Sequence, residues 1–305
     1  MTLKRILFFI TTFLLAVSSE AAHGTSSDLN SLIQDARSFL CAKSFCLTKP
    51  VTVVVENSDD YFAFYHAQQN KISLSPTLDA AETQLDLVHE FTHAYRHQFN
   101  TNEVAWLDEG LAKLMEYQYG GVWPVSYQER LRHNPRIVLS NDRRVDFSRG
   151  GDGYPSSFWL MIYLYNHLGG EKFLKKVLES PFSGWDNIER AARELQASGD
   201  ISEPVAFLKR DQILFAFSVA LFLNDEFAMK YGLFSIDTHY EPLAQAAWND
   251  SNNLAEKEKT TINYFKNFIS TDGCETYSVR GHGASAVVSV ARSGSAGDAF
   301  IQLCF

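Results

Sequence analysis

The 305-residue chain contains only four cysteines, and no two of them stand in a C-x-x-C arrangement. That spacing argues against a dithiol redox centre and against a cysteine-rich structural zinc cluster. No apolar run approaches the roughly 18 to 20 residues that a membrane-crossing helix needs. Ile6 to Val17 has twelve residues and Ile213 to Leu223 has eleven, so no stable membrane span is expected in the mature chain. Positive charge is scarce, with 27 Lys and Arg against 36 Asp and Glu, which disfavours a nucleic-acid surface. No internal repeat is evident, which sets solenoid and propeller architectures aside.

Residues 1–21 carry the three parts of a secretory signal peptide. Lys4 and Arg5 precede the apolar run, and Ser19 and Ala21 suit a cleavage site. Export to the periplasm or the extracellular space is therefore expected. Loss of Lys4, Arg5 and Glu20 would move the formal charge from −9 to −10. The cysteines agree with an oxidising destination, being even in number and clustered near the two ends. Of the three possible connectivities, Cys41 to Cys46 and Cys274 to Cys304 need only local closure and are preferred.

The strongest chemical signal is His89-Glu90-Phe91-Thr92-His93, an H-E-x-x-H pattern. Ala81 to Val88 before it has no Pro or Gly, and Phe91, Ala94 and Tyr95 continue an apolar pattern after it, so a helix with a buried side is predicted. Histidines four apart on a helix share a face and can reach one metal ion. Glu90 beside them is placed to take a proton from a water activated by that metal as the water attacks a carbonyl. His97 repeats the spacing, but it would lie about 12 Å along the axis from His89 and is read as packing.

A catalytic zinc wants a third protein ligand, and Glu109 is the candidate. It opens a second helical pattern in Trp106-Leu107-Asp108-Glu109-Gly110-Leu111-Ala112, followed by Glu116-Tyr117. The intervening residues suffice to finish one helix, cross a loop and begin another. A third block starts at Tyr154-Pro155-Ser156-Ser157-Phe158 and runs through an apolar stretch to Leu168-Gly169-Gly170.

These three blocks together resemble the gluzincin metallopeptidases, in particular the catalytic core of the aminopeptidase N and leukotriene-epoxide hydrolase group. There the second block typically reads W-L-N-E-G-F-A with a following Glu and Tyr, and the third begins Y-E-K-G-F and ends in Leu-Gly-Gly. The resemblance implies a zinc held by His89, His93 and Glu109, Glu90 as general base, and Tyr154 as donor to the developing oxyanion. This chain departs from the pattern at Asp108, at Leu111 and after Tyr154. It also lacks the G-x-M-E-N segment by which those aminopeptidases hold a free amino terminus, so exopeptidase specificity does not carry over.

The organisation expected is α+β. Residues 22–125 would form a small N-terminal sheet with the zinc helix, 126–270 a mainly helical subdomain carrying the Tyr154 block, and 271–305 a small disulfide-stapled β module. Ser27 to Leu40 reads as an amphipathic helix and Val51 to Val55 as a buried strand. Tyr61 to His66 and Lys71 to Ser75 read as a hairpin around Gln68-Gln69-Asn70, with Lys71 to Ser75 the candidate edge for pairing with an extended substrate. An Arg-rich connector, Tyr127 to Gly153, lies between the second and third blocks. Helices are predicted over Phe158–Leu178, Asn187–Gln196, Val205–Tyr231 and Thr260–Phe268, and strands over Glu275–Arg280, Ser285–Arg292 and Ala299–Phe305.

The function expected is an exported zinc-dependent metallopeptidase acting on a peptide or protein substrate, with one zinc per chain. The alternatives are a catalytically silent peptide-binding or envelope-scaffold protein, and a zinc hydrolase of a non-peptide substrate.

Overall fold

The computed structural model describes residues 26–57, 62–120, 126–128, 130, 139, 153–201, 209–223, 274–281, 284–292 and 299–303. Helix α1 (Ser26–Ala42) realises the amphipathic span. Ala36 and Leu40 are buried, and Leu29, Leu32, Ile33 and Phe39 pack against the core at helical spacing. The Cys41–Cys46 disulfide closes the turn that follows, as local closure predicts.

Three short strands come next: β1 (Thr52–Val55), β2 (Ala63–His66) and β3 (Lys71–Leu74). β2 and β3 are the expected antiparallel hairpin, joined through a single 3-10 turn and Asn70 in the left-handed region at φ 48°. The Asn70 side chain accepts from the Tyr65 hydroxyl at 2.8 Å and donates to the Pro50 carbonyl at 2.6 Å, which holds it in that conformation.

The strand order β1-β3-β2 corrects two expectations. Lys71 to Ser75 is not the open edge, because β1 pairs with β3 in parallel from its other side and makes it the central strand. The edges are β1 and β2. Val51 to Val55 is accordingly not a buried strand, and Val55 is 52% exposed. Its β-branched run marks the strand type, but burial is set by a partner lying twenty residues away.

Helix α2 (Ala80–His97) begins with a capping box. The Glu82 N–H donates to Asp79 Oδ1 at 2.8 Å, and the Asp79 N–H donates to Glu82 Oε2 at 3.1 Å. Such a cap contributes about 1 kcal/mol and fixes the register in which the helix starts. Every residue from Leu87 to Arg96 is buried, so the H-E-x-x-H segment lies on a helix enclosed on all sides. Tyr65, Ile72 and Leu74 of the sheet join the same core.

Helix α3 (Ala105–Gly120) runs back antiparallel to α2, and Arg96 secures the turn between them. This guanidinium, 1% exposed, pairs with Glu103 at 2.5 Å. It also donates to the carbonyls of Leu178 at 3.1 Å and Phe182 at 2.6 Å, and to that of Ser180. Glu103 in turn accepts from Ser183 Oγ at 2.8 Å and from the Gly184 N–H at 2.9 Å. A buried charge pair with every lone pair and proton engaged holds its geometry tightly.

Helix α4 (Gly153–His167) packs on α3 at close range because position 110 is glycine. A Cβ there would lie 2.8 Å from Met161 Cγ and 3.0 Å from the Ser157 carbonyl oxygen. The helix predicted over Phe158–Leu178 is broken into α4 and α5 (Glu171–Leu178) by Gly169 and Gly170, at φ 101° and 60°. Both angles fall where only glycine is unstrained. Helices α6 (Gly184–Ala197) and α7 (Arg210–Leu223) follow. The flanks of the predicted Val205–Tyr231 helix and all of Thr260–Phe268 lie outside the described residues, as does most of the Arg-rich connector.

Strands β4 (Cys274–Gly281), β5 (Ala284–Arg292) and β6 (Ala299–Leu303) form an antiparallel sheet in sequence order, matching the predicted strands. Cys274 pairs across to Ala291, whereas Leu303 pairs to Val288 from the opposite side of β5. Strand pairing alone therefore does not bring Cys274 to the last residue of β6. Cys304 itself lies outside the described residues. Among the described residues the chain is mostly helical, with one small mixed sheet and one antiparallel sheet, and no helix is long and apolar enough to cross a membrane.

Candidate metal centre

The antiparallel run of α2 and α3 brings His89, His93 and Glu109 together. His89 Nε2 and His93 Nε2 lie 3.1 Å apart, and Glu109 Oε2 is 3.3 Å from the first and 3.6 Å from the second. An ion held tetrahedrally with bonds of about 2.0 to 2.1 Å sets its ligand atoms about 3.3 Å apart. The three observed edges bracket that value, so the triangle fits one metal ion with a further position left for another ligand. All three side chains are buried, and this is the group of potential metal ligands found among the described residues.

The electrostatics of the cluster follow from packing two imidazoles against one carboxylate. Burial opposes the charged form of Glu109, but His93 and His89 overcome it and hold its carboxyl well below the ordinary range. Burial likewise opposes charge on His93, yet Asp108 and Glu109 carry its pKa well above the usual value, and His89 is raised by Glu109 and Glu116. Protons are thus attracted to the point that a cation would occupy.

Glu90, next along α2, is buried beside the triangle. Burial raises its pKa first, with the nearby Glu109 adding to the effect, while His89, His93 and the Tyr65 main-chain hydrogen bond pull the other way. A base whose pKa is lifted toward neutrality is better matched to proton transfer near pH 7. That main-chain contact also ties edge strand β2 to the centre.

Tyr154 reaches the cluster from the first turn of α4. Its ring lies 6.5 Å from that of His89 and 5.5 Å beneath the Lys113 ammonium, and its hydroxyl is hydrogen-bonded to Glu109. Burial, then the carboxylates Glu109 and Glu90, keep the phenol protonated. His97 stays apart from the cluster with its ring 5.8 Å from Tyr65, as the helical rise requires. The five residues singled out in sequence, His89, Glu90, His93, Glu109 and Tyr154, therefore converge on one spot.

Four further residues, two of them already named as motif positions, were given no role at the centre by the sequence. Glu116 Oε2 is 3.2 Å from His89 Nδ1, and Lys113 Nζ holds the same oxygen at 2.6 Å. Asp108 Oδ1 is 3.1 Å from His93 Nδ1. Asp86, one turn before Glu90, has its carboxyl pushed up to about 6, chiefly by burial. Helical spacing offers a signal for three of them: Lys113 and Glu116 stand four and seven residues after Glu109 on the same face, and Asp86 stands three before His89. Compared with models of known protein families and with curated protein sequences, the chain matches none.

Proposed function

We propose that the chain is an exported, zinc-dependent metallopeptidase of gluzincin type, with His89, His93 and Glu109 as the ligands of one zinc ion. The single observation that carries this reading is the spacing of 3.1, 3.3 and 3.6 Å among three buried ligand atoms, with Glu90 adjacent. A His-His-Glu donor set with a vacancy is the usual protein complement of a hydrolytic zinc. When bound there, zinc supplies a Lewis acid that polarises the scissile carbonyl and makes water a stronger nucleophile at neutral pH.

The chain's own residues do the rest. Glu90 accepts the proton of the attacking water and delivers it to the departing amine, a role suited to a buried carboxylate with a raised pKa. Tyr154, kept protonated, donates its hydroxyl to the oxygen on which negative charge develops. An extended peptide laid along the β2 edge would pass the centre, because the Tyr65 main chain reaches Glu90. The small sheet beside a metal-bearing α2 and its antiparallel α3 supports a zincin-like core. The signal-like leader and the Cys41–Cys46 disulfide support export.

The test is cleavage of a diverse peptide mixture by the purified protein and by Glu90→Gln. The substitution keeps the ligands and removes the base, so zinc should stay while the rate falls about 100-fold or more. Cleavage by Glu90→Gln at the wild-type rate would reject the mechanism.

A further inference from the structure

The two ring nitrogens of His89 are each claimed by a carboxylate. Nε2 lies 3.3 Å from Glu109 Oε2, and Nδ1 lies 3.2 Å from Glu116 Oε2. A neutral imidazole carries one proton, so the two contacts compete for it. If the proton sits on Nδ1 and is donated to Glu116, Nε2 presents its lone pair to the centre. If it sits on Nε2 and is donated to Glu109, the ligand atom is blocked and one oxygen of the third ligand is occupied as well.

Glu116 is built to win that competition. Lys113 Nζ donates to the same oxygen at 2.6 Å, both side chains are about one-fifth exposed, and the pair is spaced i, i+3 on α3. The positive charge of the lysine and its hydrogen bond favour the carboxylate form of Glu116 as the acceptor. The lysine also pins the side chain so that the acceptor stays on the Nδ1 side. The Lys113 ammonium in turn lies 5.5 Å over the Tyr154 ring, so one cation braces two neighbours of the centre.

We infer that Glu116, clamped by Lys113, is a positioning residue that fixes His89 in the tautomer with Nδ1 protonated and Nε2 open to the metal. The inference rests on the metal reading above for its consequence, metal affinity, but the tautomer preference belongs to the metal-free protein. Loss of a carboxylate behind a metal-bound histidine typically costs 10- to 100-fold in metal affinity. Glu116→Gln retains an acceptor oxygen without the charge and should fall between wild type and Glu116→Leu.

The experiment records the ring ¹⁵N shifts of His89 in metal-free wild type, Glu116→Gln and Glu116→Leu, at a pH where the imidazole is neutral. It also titrates Zn²⁺ against a competing chelator for each protein. Expected are the Nδ1–H tautomer in wild type, a move to Nε2–H in Glu116→Leu, and zinc dissociation constants raised about 10- to 100-fold by Leu and less by Gln. Retention of the Nδ1–H tautomer in Glu116→Leu, or a zinc affinity within about threefold of wild type, would overturn the inference. Failure of wild type to bind Zn²⁺ while the tautomers behave as expected would instead overturn the metal reading. Unfolding midpoints of Glu116→Gln close to wild type show that the comparison is between folded proteins.

Discussion

Asp86→Asn should make the metal-free protein more stable, and by an amount that grows with pH. Asp86 lies on α2 one turn before Glu90, where burial first, and the charges of Glu116 and Glu90 after it, outweigh the attraction of His89 and Lys113. Its carboxyl is carried from the ordinary 3.8 to about 6. At about 1.4 kcal/mol for each pH unit, ionising it in the folded protein costs up to about 3 kcal/mol, less whatever its partly exposed oxygens recover from water. Because the folded pKa lies above the unfolded one, this stability is fully present below about pH 4 and is lost as pH rises through about 6. Asparagine has nearly the same shape and never ionises. Wild type and variant should therefore unfold alike near pH 4 and differ by about 2 to 3 kcal/mol at pH 7.5. A cation among His89, His93 and Glu109 would favour the ionised carboxylate, so the gain should shrink when zinc is bound, and by linkage the variant should bind zinc more weakly. Urea unfolding of chelator-treated proteins at pH 4 and 7.5 measures both ends. A difference independent of pH, or a variant less stable at pH 7.5, would refute the placement of Asp86 as a half-buried, destabilising carboxylate.

Tyr154→Phe should lower the turnover number about 10- to 100-fold while leaving KM nearly unchanged, since the hydroxyl is needed only as charge develops; equal turnover in a steady-state assay would return Tyr154 to a packing role. Arg96→Met strands Glu103 without its cation and removes the donor to three carbonyls, so it should cost about 3 to 5 kcal/mol in denaturant unfolding. A loss under about 1 kcal/mol would show that the turn between α2 and α3 does not depend on it. Gly110→Ala forces a methyl to within 2.8 Å of Met161 Cγ and should destabilise by about 1 to 3 kcal/mol while shifting Tyr154 away from Glu109. Unchanged stability together with unchanged turnover would contradict the tight α3 to α4 approach.

The chemical centre was legible in the sequence because its parts are local. His89 and His93 share a face by helical spacing, and Glu109 needs only a short turn between two helices to come back to them. Asp86 and Lys113 belong to no motif, and Asp108 and Glu116 were legible only as motif positions, for a physical reason: a charged residue on a helix is by default solvated, and only the packing of α2 against α3 half-buries these four around one point. The sheet was half legible. The β2–β3 hairpin follows from a local turn, but the insertion of β3 between β1 and β2 depends on a parallel pairing that no local pattern encodes, and this turned the supposed edge into the centre. Likewise the apolar stretch from Phe158 onward reads as one helix, whereas Gly169 and Gly170 adopt left-handed angles that end α4 and redirect α5. The Leu-Gly-Gly signature carried that information, but as conformational freedom rather than as polarity.

The measurement that bears most directly on the centre is the metal content of the purified protein, compared with Glu90→Gln and Glu109→Ala after equal exposure to zinc. The account predicts one zinc per chain in wild type and in Glu90→Gln, and little or none retained by Glu109→Ala. A wild-type protein that takes up no zinc, or a Glu109→Ala variant that holds it as firmly as wild type, would contradict the assignment of His89, His93 and Glu109 as its ligands.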